Sequence, residues 1–562
     1  MIEKKIKINI EGLVDGKKRL ADFKSGATYE DLMKAYAEDK GTELVLARSG
    51  GLLHELSEKP DGDVEEITYL DTMDPDGYRV YMRSLSMVMC YAMEKLYPNI
   101  EVEIEHSISG GLYCRLKEDG KDLIPDSYMK KDLLAEMRAI CEKDYKITGK
   151  EMTIGEAVDL FRSIDRDDKA EVYAFRKEGK ASIYEMNGYI DSFFGFMVPS
   201  SSYVSDFDIE IFAQGLVLVG PKRDEKGKAA NFKPQYLLSK SYLEEEGWSE
   251  LQGIKNVYDL NSILVSGNIG EVVRMTEALQ GHKIMEMARE IYSMNKKLIL
   301  IAAPSSSGKT SFAYKLTSCL RVLGLRPVKL STDDYYVNRV DTPLDEEGKP
   351  DFESINSVDI KRLNSDIAKL LRGQEVEKIR YDFISGERVM TGQGLSIPAN
   401  APIIIEGIHA LNPILSSGID PSYKYKIYLS VTTHINLDAH NRIPTSDLRL
   451  MRRICRDAQK RGSSAEKTIL SWPSVRKGEV RNIFPYEAEA DTIFDSSFVY
   501  EIAALKPLIE PHLEEIEKGN PAYIEAVRLR SLLRYFLPME DLSDIVNTSI
   551  LREFIGGSKI VD

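Results

Sequence analysis

The 562-residue chain is poor in the features that mark a secreted, membrane-spanning or polyanion-binding protein. Its five cysteines (Cys90, Cys114, Cys141, Cys319 and Cys455) are scattered, odd in number and never spaced Cys-x-x-Cys. That pattern supplies no disulfide frame and no zinc site, and it fits a reducing compartment. No apolar run approaches the roughly 18 residues needed to cross a bilayer. The opening "MIEKKIKINIEG" alternates like a strand and lacks the apolar stretch of a signal peptide. Basic charge is also in deficit, with 75 Lys+Arg against 90 Asp+Glu and a formal net charge of −15. This argues against general polyanion binding but leaves room for a local basic site. No internal repeat and no low-complexity tract is visible. The expectation is a cytoplasmic protein without membrane contact, divided by its length into three or four domains.

Residues 1 to about 72 read as a small α+β unit. "KIKINIEG" suits a strand, "ATYEDLMKAYAEDK" a helix with Thr28 as N-cap and Asp31 three residues on, and "TELVLARSGGLLHEL" two strands around Gly50-Gly51. A second α+β segment, about 73 to 225, opens with the helical "YRVYMRSLSMVMCYAMEKLYP" and continues with strands such as "VEIEHSI" and "GLYCRL". The polar stretch "KRDEKGKAANFKP" reads as a boundary, and 226–295 as a linker followed by helices from Val257 to Met294. From Lys296 the texture alternates between strand and helix. "KLILIAA", "RPVKLS", "APIIIEG" and "YKIYLSV" are β-rich, which predicts an α/β domain over 296–500, a parallel sheet with helices on both faces. Residues 501–562 read as C-terminal helices.

The stretch "LILIAAPSSSGKTSF", Leu298 to Phe312, passes from an apolar strand through a loop of small residues into a helix. It follows the phosphate-binding pattern G-x-x-x-x-G-K-[ST], with Ala303 in place of the first glycine. Backbone N–H groups of Ser305, Ser306, Ser307, Gly308 and Ser311 at a helix start can wrap phosphates, and the helix dipole favours their charge. Lys309 would reach the β/γ-phosphates, and Thr310 would offer a hydroxyl to Mg²⁺. "VKLSTDDYYVNR" ends a strand at Asp333, where a carboxylate can accept a hydroxyl proton. Asp333 and Asp334 are adjacent, so an extended chain would point only one inward. "IIIEG" ends a buried strand at Glu406, an acid placed to hold Mg²⁺ directly or through water. In "DLRLMRRICRDAQKRG", Arg449, Arg453, Arg456 and Lys460 share a helical stripe, next to Arg452. Such guanidiniums can fold over phosphates, although a solvated or RNA-contacting face has the same pattern.

In this order, "PSSSGKTS", "LSTDDYY", "DFESINSVD", "YDFISGER", "IIIEG", "LRLMRRICRD…RG" and "EADTIFDSS" resemble the uridine kinase and phosphoribulokinase family over about Lys296 to Tyr500. The resemblance implies ATP and Mg²⁺ as cofactors, Asp333 as the base for a sugar 5′-hydroxyl, and Glu406 and Thr310 at the metal. It implies Lys309, Arg449 and Arg453 as catalytic groups and Arg456 at the nucleotide. Glu353 falls where the family holds ribose hydroxyls, Tyr381 and Tyr336 where an aromatic packs at the nucleoside, and Arg388 close by in "YDFISGER". Uridine kinases carry a histidine shortly after "YDF"; here that position is Gly386, which puts uridine specificity in doubt.

Residues 1–72 resemble the ubiquitin-like TGS domain. "YMRSLSMVMCYAMEKLYPNIEVEIEHSISGGLYC" resembles the second additional domain of threonyl-tRNA synthetases. The editing histidine pair of those enzymes is replaced by Arg83 and Met87, no Cys-x-x-x-His occurs, and His106 stands alone. Editing chemistry is therefore not expected. RNA contact, binding of a small regulator, or packing on the kinase remain open for this half, with RNA contact disfavoured by the acidic balance. The combined expectation is an ATP-dependent kinase for a nucleoside. A phosphoribulokinase-like or pantothenate-kinase-like acceptor, and an ATP-switched RNA-binding protein, are the rivals. The C-terminal "YIEAVRLRSLLRYFLPM" is amphipathic and suits packing on the core or on another subunit, so a homo-oligomer is open. "SILREFIGGS" suggests no role.

Overall fold

Why the β-rich runs become one sheet is plain from their burial. The computed structural model describes residues 4–10, 19–23, 26–36, 43–61, 66–176, 179–223, 225–344, 348, 350–382, 385–398, 401–433 and 435–561. Strand β1 (Leu298–Ala302) is buried at every position, and β3 (Ile403–Glu406) likewise, as expected of parallel strands covered on both faces. With β2 (Val328–Ser331), β4 (Lys424–Ser430) and β5 (Thr492–Asp495) they form a parallel sheet in the order β2-β3-β1-β4-β5. The register places Glu406 opposite both Ile301 and Ser331. The ends of β1, β2 and β3 therefore meet at one carboxyl edge, where open α/β sheets place their ligands.

Three helices frame that edge: α1 (Lys309–Val322), α2 (Thr445–Arg461) and α3 (Ala465–Asn482). A hairpin, Val376–Asp382 with Glu387–Leu395, stands beside it. The helical stretch expected from Val257 to Met294 is two helices, Val257–Ser266 and Ile269–Ser293, because Gly267 takes a left-handed conformation and ends the first. A further helix, Tyr236–Leu251, had no counterpart in the sequence pattern, since its apolar residues form no stripe.

Strands Lys4–Ile10, Arg19–Phe23, Leu44–Ser49, Leu52–His54 and Glu66–Asp71 form a mixed sheet against helix Tyr29–Tyr36. The Thr28 hydroxyl accepts from the Asp31 N–H at 3.1 Å, and the Thr28 N–H donates to the Asp31 carboxylate at 2.9 Å, so the predicted cap is present. The predicted helix after Tyr36, and residues 11–12 of the first strand, lie outside the described residues. Helix Pro75–Leu96, capped by Asp74, packs on a five-stranded sheet that includes Ile100–Ile108 and Gly111–Glu118.

The amino-terminal region and the P-loop region are joined through buried charge. Lys169 is fully buried and lies 2.8 Å from both Asp191 and Asp438, while Asp191 also accepts from His440 at 2.5 Å. A buried lysine is tolerated because both carboxylates neutralise it. Asn441 ties the same place together, donating to the Ser192 carbonyl and accepting from the Phe194 N–H. One continuous core runs from Phe161 and Tyr173 through Ile299 and Ile301 to Leu529, Ile550 and Phe554. The C-terminal helices thus pack on the core. No helix among the described residues is long and apolar enough to cross a membrane.

Candidate active site

The loop between β1 and α1 turns on Gly308, whose φ of 74° is left-handed. A Cβ there would lie 2.4 Å from Ile550, so both conformation and space call for glycine. Ala303, in place of the first glycine of the pattern, is fully buried beneath the loop. Lys309 leans back to 3.5 Å from the Ala303 carbonyl. Thr310 is half-buried at the helix start, and the buried Ser307 hydroxyl has no partner among the described residues. Ser311 is spoken for, its hydroxyl donating to Glu553 at 2.6 Å.

Helix α2 lays its arginines over this loop. Arg449 donates to the Ser305 carbonyl at 3.0 Å, Arg453 to the Ser305 hydroxyl at 2.9 Å, and Arg456 to the Ser306 hydroxyl at 3.2 Å. All three predicted arginines therefore converge on the loop, and Lys460 stays exposed. Arg452, off the predicted stripe, is fully buried. It bonds Glu501 at 2.7 Å, the Ser496 carbonyl and the Ser306 carbonyl, and so fastens α2 to α1's loop from behind.

Three carboxylates lie within electrostatic reach of Lys309. Burial pushes Glu406 and Glu353 each up to about 7, and Lys309 beside them works in the opposite direction. Burial also raises Asp333, again opposed by Lys309. The chain at Asp333-Asp334 is not extended but a 3₁₀ turn, Thr332–Tyr335. Asp333 faces the lysine, while Asp334 takes a backbone hydrogen bond from Tyr381. A buried acid at raised pKa is one that a cation would suit. Among the described residues no group of three or more His, Cys, Asp or Glu could hold a metal. Glu406 and Thr310 fit the sparser mode of Mg²⁺, one or two protein oxygens with phosphate oxygens and water completing the shell.

Beside the acids, Tyr336 meets Tyr381 edge-on at 5.5 Å and Phe352 at 6.1 Å, making an aromatic wall. Arg388 is drawn away to Asp359 at 2.7 Å, the residue capping helix Ile360–Leu371. Gly386 has φ 76°, and a Cβ there would lie 2.7 Å from Arg339, so a larger residue could enter only by displacing that guanidinium.

Two groups escaped the sequence. Glu479 on α3 accepts from the Ser305 N–H at 3.1 Å, from Arg449, and from Arg476 at 2.7 Å. Only its place in a helix of mixed charge pointed to it. The second is "SILREFIGGS": Ile550 abuts Gly308, Phe554 lies 4.7 Å under the Arg452 guanidinium, and Glu553 holds Ser311. Its apolar spacing was visible, but not the surface it covers.

In the amino-terminal region, Met87 is buried in the core and Arg83 faces a cavity. His106 is buried between Tyr113 and Tyr242, and burial holds it well below the usual histidine range, hence neutral.

Sheet order, loop and arginine helix define a class: a P-loop phosphotransferase domain. Residues 298–503 match the Phosphoribulokinase / Uridine kinase family. The amino-terminal and middle region of the chain is similar to threonine–tRNA ligases. It is 28% identical over 171 residues to that of Finegoldia magna (30% of this chain, 26% of the ligase) and 28% identical over 189 residues to that of Geobacillus kaustophilus (34% and 28%). The matches thus span little more than a quarter of those ligases' length. Among solved structures, a possible uridine kinase from Bacillus stearothermophilus is similar at 16% identity, over 38% of this chain and 98% of that one, with a TM-score of 0.26. The D-glycerate 3-kinase of Cryptococcus neoformans is similar at 14% identity, over 37% and 88%, with a TM-score of 0.25.

Proposed function

We propose that the chain is an ATP- and Mg²⁺-dependent kinase that transfers the γ-phosphoryl group to the 5′-hydroxyl of a nucleoside. The observation that carries this reading is the clamp of Arg449, Arg453 and Arg456 over the P-loop beside the Tyr336–Tyr381 wall, with Asp333, Glu353 and Glu406 within electrostatic reach of Lys309. Asp333 accepts the proton of the attacking hydroxyl. Glu353 holds ribose hydroxyls, and Tyr336 and Tyr381 pack against the acceptor's ring. Backbone N–H groups from Ser305 to Ser311 and the Lys309 ammonium orient the phosphates, while Arg449, Arg453 and Arg456 stabilise charge on the transferring group. Thr310 and Glu406 hold Mg²⁺, which when bound neutralises phosphate charge. Arg388, drawn to Asp359, orients the hairpin beside the acceptor.

In this reading 1–72 is a TGS-like unit, 73–225 a synthetase-like unit without editing chemistry, 226–295 a linker with helices, 296–500 the kinase and 501–562 its C-terminal support, working in the cytoplasm. A wider acceptor range has one observation in its favour: Arg339 fills the space at Gly386 where a base-reading side chain would stand. The test is phosphorylation of a panel of nucleosides, ribulose 5-phosphate and pantothenate with Mg²⁺–ATP, with products identified by mass. A phosphorylated nucleoside supports the proposal. Turnover of ribulose 5-phosphate or pantothenate alone replaces the nucleoside as acceptor, and turnover of none removes the kinase reading.

A further inference from the structure

Away from the P-loop, a cavity of about 1080 Å³ lies between helix Pro75–Leu96, the turn Phe193–Phe196, the segment 440–444 and the C-terminal helix Tyr523–Leu533. In a chain of net charge −15, its wall carries nine Lys or Arg against four Asp or Glu. The acids are engaged elsewhere or paired. Glu55 accepts from the Tyr184 hydroxyl at 2.7 Å and from the Met197 N–H at 2.8 Å, Asp76 pairs with Arg79, and Glu151 with Lys180.

Arg83, Arg176, Arg442 and Arg534 on the wall have no carboxylate ion pair among the described residues, and the first three bear on a ligand. Arg83 donates to the Phe196 carbonyl at 2.6 Å, and burial, with Arg79 and Arg528 nearby, pulls its pKa down to about 10. Arg176 donates to the Lys180 carbonyl, lies 4.7 Å over the Tyr535 ring, and keeps a buried Nε without a partner. Arg442 is half-buried in the wall, and this partial removal from water lowers its pKa. Desolvated guanidiniums without counter-charge are costly, and an entering anion would relieve that cost. Guanidinium forks suit phosphate oxygens, and the rings of Tyr173, Phe194 and Tyr535 give the same cavity an aromatic face.

We propose that this cavity is a second ligand site, separate from the P-loop, for a small phosphate-bearing molecule with a planar ring, the chemistry of a nucleoside monophosphate. The ligand's phosphate meets Arg83 and Arg442, and its ring lies on the aromatic face. The site is joined to the kinase region by covalent chain: Arg442 and Pro444 line it, α2 begins at Thr445, and Asp447 on α2 is held by Arg528 at 2.6 Å. Occupancy therefore acts on the helix that carries Arg449, Arg453 and Arg456, a coupling between two sites through one element.

The test is calorimetric titration of the full chain with AMP, UMP, inorganic phosphate and adenosine. A monophosphate should bind at one saturable site, with adenosine at least tenfold weaker. Binding should survive Lys309→Ala and Glu353→Ala and weaken at least tenfold in Arg83→Met and in Ser531→Glu, which leaves every arginine in place and adds a negative charge to the wall. Absence of saturable binding by both monophosphates and phosphate overturns the proposal. So does binding lost in the Lys309 or Glu353 variant but kept in the other two, or binding confined to an RNA oligonucleotide.

Discussion

Glu406 and Glu353 carry the same physical problem, a carboxyl group buried next to other acids. Each is raised from 4.5 to about 7, chiefly by desolvation. A carboxyl group raised in the folded state binds its proton more tightly there than when unfolded. Its stabilising contribution is therefore complete below about 4.5 and lost as pH rises through about 7. The ligand-free protein should melt several degrees lower at pH 8 than at pH 6, and Mg²⁺ with nucleotide should restore more of that loss at pH 8. Thermal unfolding with and without ligand checks both, and equal melting temperatures at the two pH values would contradict the account. In the proposed function Arg453 stabilises charge in the transfer step, so Arg453→Ala should lower kcat by about 10²-fold or more with a small change in nucleotide affinity. At this scale the P-loop, Glu406 and the arginine stripe were legible because each motif is local. Glu479 was not, because two of its three hydrogen bonds come from other segments of chain, the Ser305 N–H and Arg449. The turn at Asp333-Asp334 also escaped, since an Asp-Asp pair after a strand has no fixed local conformation.

Helix α2 is held over the loop by groups outside it. Arg452 reaches Glu501 and Ser496, and Phe554 sits beneath it. Phe554 is fully buried, so Phe554→Ala should cost about 3–5 kcal/mol and loosen α2. The expected readout is a lower denaturation midpoint together with weaker nucleotide binding; a midpoint shift with unchanged binding would show that the segment supports the core alone. Four strands of the sheet were visible as β-rich runs between helical ones, while the fifth, Thr492–Asp495, has too short an apolar run to stand out in the sequence. The division of Val257–Ser293 at Gly267 was not, because a glycine within a helical pattern can cap one helix or sit quietly inside another.

Across the whole molecule, a synthetase-related half and a kinase domain share a core and a buried charge cluster. Removing Lys169 leaves Asp438 without its cation and Asp191 with His440 alone. Lys169→Met should therefore destabilise by about 3–5 kcal/mol, measured as a fall in denaturation midpoint. An unchanged midpoint would mean that the cluster does not join the two regions energetically. No reading of either half alone could have found this cluster, as its members are separated by up to 269 positions. The sequence also showed that the editing pair is replaced, but only the assembled chain turns Arg83 toward a cavity shared with the C-terminal helix.

The central claim is that Asp333 accepts the proton in phosphoryl transfer to a small hydroxyl substrate. The measurement that tests it most directly is ADP release from Mg²⁺–ATP with acceptor, made on the protein and on Asp333→Asn together with nucleotide binding by each. The account predicts that binding is nearly unchanged while turnover falls by about 10²–10⁴-fold, the contribution of a positioned general base. Full turnover in Asp333→Asn would contradict it.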